Sequence, residues 1–134
     1  MAHASDHRHT VLLVDDNDDL REAFVLLAAA MGLDAVAHGS GPEALEALRR
    51  GLRPCLILLD LAMPEMDGFA FRREQLKDPE LACIPVAVVS GVGTLVESEA
   101  RSLGLTTFLR KPVDISELRQ LFADHCGTDS SPRS

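Results

Sequence analysis

A doubly wound α/β domain, one parallel sheet of five strands with five helices spread over both faces, is the fold this sequence predicts. Three observations carry that expectation. Short apolar runs alternate five times with amphipathic stretches, without an internal repeat or a second pattern. The runs Val11-Leu12-Leu13-Val14, Leu56-Ile57-Leu58-Leu59 and Val86-Ala87-Val88-Val89 are continuously apolar, as suits strands buried on both faces of a parallel sheet. Four of the runs then stop at polar groups: Asp15-Asp16, Asp60, Ser90 and Lys111-Pro112.

Taken in order, residues 1–9 read as a flexible polar leader carrying His3, His7 and His9. Thr10–Val14 is the first strand. Asn17-Asp18-Asp19 opens a helix with its acids at the positive end of the dipole; Leu20, Phe24, Leu27 and Met31 recur at helical spacing, and Gly32 ends it. Asp34–His38 is a short second strand. Ser40-Gly41-Pro42-Glu43 joins a capping box to a first-turn proline, Ala44, Leu45 and Leu48 form an inner face, and Gly51 closes the helix. Residues 56–59 are the third strand. The third helix, over 68–77, has the weakest pattern: Phe69, Phe71 and Leu76 make a poor stripe that Arg72 and Gln75 interrupt, before Asp78-Pro79 ends it. Pro85 precedes the fourth strand at 86–89. Residues 94–103 form a helix with Val96, Ala100 and Leu103 inward and Gly104 at its end, and Thr107–Arg110 is the fifth strand. Asp114-Ile115-Ser116-Glu117 caps the last helix, whose inner face is Ile115, Leu118 and Phe122. Residues 127–134 are a polar tail expected to be disordered. One domain thus spans 10–126. Right-handed crossovers narrow the topology, and the flavodoxin-like strand order 2-1-3-4-5 is the expectation.

Bulk properties exclude several classes of function. A chain of 134 residues, 46% of them hydrophobic, suits one domain with a real core. The net charge of -8, with no cluster of Lys and Arg, argues against direct binding of nucleic acid. Arg49-Arg50-Gly51-Leu52-Arg53 and Arg72-Arg73 read as small solvated faces. No apolar run reaches membrane-spanning length and no apolar signal region opens the chain, so a cytoplasmic protein without membrane attachment is expected. Cys55, Cys83 and Cys126 are odd in number and widely spaced, without a C-x-x-C. They read as reduced thiols rather than a zinc knuckle or a disulfide framework.

The polar strand ends carry the chemistry. In a parallel sheet all strands point their C-terminal ends at one edge, so three carboxylates, a hydroxyl and an ammonium would meet there. Alone, Asp15-Asp16 is equally a solvated acidic loop, Ser90 a turn residue and Lys111 a surface cation at a strand exit. Together they are harder to dismiss, because each falls at the same end of a different strand. Carboxylates ~4 Å apart at an effective dielectric of ~20 repel by about 4 kcal/mol per pair, so such a cluster needs a cation or a proton. Mg2+, which is hard and prefers oxygen ligands in octahedral array, resolves this: Asp15, Asp16, Asp60, a backbone carbonyl and waters would satisfy it and leave room for a phosphoryl oxygen. Lys111 would pair with a carboxylate or that oxygen, and the Lys111-Pro112 bond is of the kind that can be cis.

These residues resemble the receiver domain of two-component response regulators. The resemblance covers the chain from Thr10 to Cys126. It rests on Asp15-Asp16, on Asp60-Leu61-Ala62-Met63-Pro64-Glu65-Met66-Asp67-Gly68, on Ser90-Gly91 and on Lys111-Pro112. The resemblance implies that Asp60 is the phosphoacceptor, attacking a phosphohistidine on a histidine kinase or phosphotransfer protein to give an acyl phosphate. It implies that Asp16 binds Mg2+ directly, Asp15 mainly through water, and that the Ala62 carbonyl completes the protein ligands. Lys111 and the Ser90 hydroxyl would contact phosphoryl oxygens. Ser90 and the aromatic at Phe108 would form the switch; many relatives carry Tyr there, so switching here would rest on packing alone. The affected face would comprise the fourth helix, fifth strand and fifth helix, open to a target, a phosphotransfer partner or a second copy in a homodimer, with Leu95, Glu97 and Arg101 as candidate contacts. Ala62 and Val92 flank the site without side chains able to hold an attacking water, which implies slow loss of the phosphoryl group.

Other readings stay open at this level. The chain is either a stand-alone receiver or a receiver fragment of a larger regulator or hybrid kinase. An Asp-nucleophile phosphohydrolase is a further alternative, but it would need a second acid two residues after Asp60, where Ala62 stands. A turnover enzyme is therefore not expected.

Overall fold

The computed structural model describes residues 9–63, 66–91 and 94–126, with the backbone alone for 94–97. All of the leader expected at 1–9 except His9 lies outside the described residues, as do the tail expected at 127–134, Val92 and, within the Asp60-to-Gly68 motif, Pro64 and Glu65. Five strands, β1 (Thr10–Val14), β2 (Asp34–His38), β3 (Leu56–Asp60), β4 (Val86–Ser90) and β5 (Thr107–Arg110), form one parallel sheet of order β2-β1-β3-β4-β5. This is the order expected from the sequence. The helices are α1 (Asp18–Ala30), α2 (Gly41–Arg49), α3 (Gly68–Leu76), α4 (Pro79–Ala82), α5 (Thr94–Ser102) and α6 (Ile115–Cys126). Six rather than five are present among the described residues. The extra one, α4, is a single turn capped by the Asp78 side chain, which accepts from the Glu80 N–H at 3.0 Å, with Pro79 at its first position.

Side-chain alternation along the strands sorts the core into two layers. Val11, Leu13, Leu56 and Leu58 face α1 and α6, where Phe24 meets Phe122 edge to face at 5.5 Å. Leu12, Val14, Ile57 and Leu59 face α2 and α3 with Leu45, Leu48 and Phe71. On that second face Val88 is covered by Ala100 of α5. Helices therefore lie on both sides, and the chain reverses its winding between β1 and β3, the position where open α/β sheets bind ligands.

The end signals work as physical chemistry requires. Asn17 accepts from the Leu20 N–H at 3.0 Å and Ser40 from the Glu43 N–H at 3.4 Å. The Glu43 side chain does not complete the capping box but lies 3.6 Å from His38 Nδ1. Gly32 and Gly104 follow α1 and α5 at φ of 78° and 80°, the left-handed region that β-carbons disfavour.

Three further sequence expectations change. Ile115 is 46% exposed, and the inner face of α6 is instead Leu118, Leu121, Phe122 and Cys126. Arg72 is not solvated: it and Gln75 are buried while Leu76 is 40% exposed, which explains the poor apolar stripe of α3. Arg72 Nε donates to the Leu103 carbonyl at 3.1 Å and Nη1 to Gln75 Oε1 at 2.9 Å, and Gln75 Nε2 donates to the Leu81 and Ile84 carbonyls. The polar residues that break the stripe are thus the inward ones, since they bond the backbone of α4 and the end of α5. Finally, Cys55 and Cys126 are joined as a disulfide, and only Cys83 is a free cysteine among the described residues. The fold brings together positions that are 71 apart in sequence, which spacing alone could not show. Of the basic groups, Arg49, Arg50 and Arg53 pair with Glu74, Glu46 and Glu80. Among the described residues no helix is long and apolar enough to cross a membrane.

Candidate functional site

Each acid is placed by a strand end. Asp15 follows β1 and is fully buried; its backbone N–H donates to the His38 carbonyl at 3.1 Å, continuing the β1–β2 ladder by one residue. Its Oδ1 accepts from the Asn17 N–H at 2.9 Å. Asp16 is exposed at the rim. Asp60, the last residue of β3 and 2% exposed, has Oδ1 fixed by the Ala62 N–H at 3.0 Å. Carboxylate oxygens of Asp15, Asp16 and Asp60 all lie within 4.8 Å of one another.

Lys111 reaches this cluster from the end of β5. Its Nζ is 3.2 Å from Asp15 Oδ2 and 3.4 Å from Asp60 Oδ2. Its backbone N–H donates to the Ser90 carbonyl at 3.1 Å, and the Lys111-Pro112 peptide is cis. The structure thus brings Asp15, Asp16, Asp60 and Lys111 together and sets Ser90 at the end of β4, the strand beside β3. Ala62 is exposed two residues beyond Asp60. Phe108 is half-buried on β5, away from the acids in sequence, with the Arg101 guanidinium 5.1 Å over its ring. Of the other candidate contacts on that face, the side chains of Leu95 and Glu97 fall outside the description, as does that of Val96.

Electrostatics follow from burial. Removal from water raises the Asp60 pKa above its ordinary 3.8; the Ala62 N–H opposes this, the Asp15 charge adds to it and Lys111 opposes it. Burial pulls Lys111 down, but the Asp15 and Asp60 carboxylates outweigh it and its pKa is raised. Asp15 Oδ2 is fully buried and makes only an ionic contact with Lys111, with no hydrogen bond of acceptable geometry. A buried carboxylate oxygen without a hydrogen bond, among two further carboxylates, is a donor set suited to a hard divalent cation such as Mg2+. A polar cleft of about 450 Å³ lined by Asp16, Arg21, Ser40 and Glu43 opens beside it.

Two supporting residues escaped the reading of the sequence. Arg21 Nη1 donates to the Asp15 carbonyl at 2.8 Å while Nη2 pairs with Asp18, which ties the β1–α1 loop to the first turn of α1. The Asp-x-x-Arg spacing in a helix's first turn was the available signal. Gly68 closes the Asp60-to-Gly68 motif. A β-carbon there would lie 2.7 Å from the Asp60 carbonyl oxygen and 2.8 Å from Leu61 Cα, so the start of α3 sits against the end of β3 only because this residue is glycine.

Comparison with known proteins agrees with this geometry. Residues 11–123 match the response regulator receiver domain family. The polar-differentiation response regulator DivK of Brucella anthropi is 30% identical over 119 residues, covering 88% of this chain and 96% of that protein. Protein-glutamate methylesterase/protein-glutamine glutaminase 2 of Cereibacter sphaeroides is 36% identical over 115 residues; the match covers 83% of this chain but only 31% of that protein, so the chain spans about a third of that relative's length. The crystal structure of a response regulator receiver protein from Pseudomonas putida superposes with a TM-score of 0.80 at 36% identity, over 87% of this chain and 97% of that one. Strand order, acidic edge and matched sequence agree, and the chain belongs to the response regulator receiver domain family of two-component signalling.

Proposed function

We propose that this domain, residues 10–126, accepts a phosphoryl group on Asp60 from a phosphohistidine of a histidine kinase or phosphotransfer protein, in a Mg2+-dependent reaction. The observation that carries this is the convergence of three carboxylates within 4.8 Å, with the Lys111 ammonium against two of them. Asp15, Asp16, Asp60 and the Ala62 carbonyl would hold Mg2+, which would supply charge neutralisation for the phosphoryl oxygens. Asp60 must be ionised to attack phosphorus; its Oδ2 forms the new P–O bond as the P–N bond to the donor imidazole breaks and the electron pair returns to that ring. The Ala62 N–H, bonded to Oδ1, leaves Oδ2 as the attacking oxygen. Lys111, already against Oδ2, follows the charge onto the phosphoryl oxygens. Ser90, at the neighbouring strand end, would contribute its hydroxyl to the same oxygens.

The acyl phosphate then biases two arrangements of the α5–β5–α6 face. Ser90 moves toward the phosphoryl group and Phe108 turns inward. Phe108 has no hydroxyl to satisfy, so the cost of the turn is the loss of its stacking under Arg101. That face binds a target or a phosphotransfer partner in the cytoplasm, and a homodimer through it is compatible with the fold. Nucleic acid and membrane are not direct partners. Ala62, which offers no side chain to hold a water, favours a long-lived phosphoaspartate; a half-life of seconds in the isolated protein would count against this.

The longer methylesterase relative supports a second arrangement, in which the same switch acts on a further domain of a larger regulator or kinase. Phosphatase turnover is the competing chemistry. Incubated with acetyl phosphate and Mg2+, the protein should gain one phosphoryl group and lose that capacity in EDTA, while simple phosphate esters are not turned over. Sustained ester hydrolysis would refute the receiver reading.

A further inference from the structure

The acidic site makes no use of two sulfurs at the other end of the molecule. Cys55 immediately precedes β3, and Cys126 is the last residue of α6. Asp60 lies five residue steps beyond Cys55, roughly 16 Å along the strand. The cysteines are joined, with Cα atoms 5.5 Å apart. That separation lies in the ordinary range for a bridge that needs no backbone movement.

The surroundings suit the separated thiols equally well. Cys126 is 1% exposed among Leu118, Leu121 and Phe122, where a thiol packs as a small apolar group. Cys55 is half-buried, and its sulfur lies 3.3 Å from the Thr10 carbonyl, an acceptor for the S–H of the reduced form. The same carbonyl accepts the Cys55 N–H at 2.8 Å. The strand therefore holds Cys55 in place with or without the sulfur bond, and one backbone accommodates both states.

We propose that Cys55 and Cys126 form a reversible thiol–disulfide couple that sets how firmly α6 is held to the sheet. The oxidant is a low-molecular-weight disulfide. The thiolate of Cys55, the more exposed of the two residues, attacks it, forming a mixed disulfide and expelling one small thiolate. The thiolate of Cys126 then attacks the Cys55 sulfur and expels the second. Two protein thiols lose two electrons, one small disulfide becomes two small thiols, and the two cysteine protons end on them. Small thiols run the sequence backwards. In the oxidised state the last residue of α6 is tied beside β3, so the helix end cannot fray, and a long loop of the unfolded chain is closed. In the reduced state the helix is held by packing alone.

The test uses the full chain with Cys83→Ser, which removes the exposed third thiol, equilibrated in oxidised or in reduced glutathione. The expected oxidised product is lighter by two hydrogens, carries no glutathione and yields a linked Cys55–Cys126 peptide. It melts about 10 °C or more above the reduced form, and the last turn of α6 exchanges its amide hydrogens more slowly. Adding Cys55→Ser should give the reduced melting temperature in both buffers. The proposal fails if both thiols stay alkylatable in oxidised glutathione or if glutathione remains on Cys55. It fails equally if the linked form melts and exchanges as the reduced one does. None of these readouts involves phosphoryl transfer.

Discussion

In the proposed reaction Asp60 has to be two things at once, buried enough to be shielded and ionised enough to attack phosphorus. Its pKa lies above 3.8 when folded, so between the two values the native state holds more protons than the unfolded chain. Stability of the metal-free protein therefore falls as pH rises from 3.8 through the folded value, and the penalty persists at neutral pH. Asp60→Asn should remove it: the metal-free variant is expected to be more stable at pH 7 by about 1 kcal/mol, roughly 3–6 °C in Tm. A Tm below that of the parent would show that the carboxylate is stabilising where it sits. Gly68→Ala should act in the opposite direction. Its methyl group meets backbone and the Leu61 side chain below 3.0 Å, so overpacking of about 1–3 kcal/mol is expected by urea denaturation. The acids, Lys111 and Ser90 were legible in the sequence because each ends an apolar run. The role of Gly68 was not, because close approach of two backbones leaves no mark on spacing.

Among the elements, α3 departs furthest from its sequence pattern. Amphipathic reasoning assigns Arg72 and Gln75 to solvent, yet both are buried because carbonyls of Leu81, Ile84 and Leu103 need donors there. A stripe defined by apolar residues cannot register a buried polar network. The network fastens α3 to α4 and to the end of α5, where the Arg72 charge also meets the negative end of the helix dipole. Arg72→Met and Gln75→Leu should each cost about 1–3 kcal/mol, because each leaves a buried partner unsatisfied. The double variant should cost less than the two summed, since the shared Arg72–Gln75 bond is then lost only once. Simple additivity in urea melts would mean that the two residues act independently. By contrast α1 and α2 kept their expected N-cap residues and apolar inner faces, although only the Ser40 half of the α2 capping box forms.

At the scale of the whole molecule, alternation of strand and helix and the continuous apolar character of β1, β3 and β4 were enough to foresee a parallel sheet, whereas its order, though as expected, was a choice among the few topologies that right-handed crossovers allow. What lay beyond reach was contact between distant segments, such as Cys55 with Cys126 and Arg101 with Phe108. The fold joins its two halves at the switch point between β1 and β3, and binding there should stabilise the entire domain. Mg2+ at one hundred times its Kd should stabilise the protein by about 2.7 kcal/mol, reversed by EDTA and weakened in Asp60→Asn. The same titration should show weaker Mg2+ binding as pH falls toward the raised Asp60 value, because protons then compete for the carboxylate. The most direct measurement is site-resolved mass spectrometry of the protein after exposure to acetyl phosphate, with Mg2+ or with EDTA. One phosphoryl group on the peptide containing Asp60, present only with Mg2+ and absent from Asp60→Asn, is the expected result. Phosphate on a different residue, or none on Asp60 despite bound Mg2+, would contradict it.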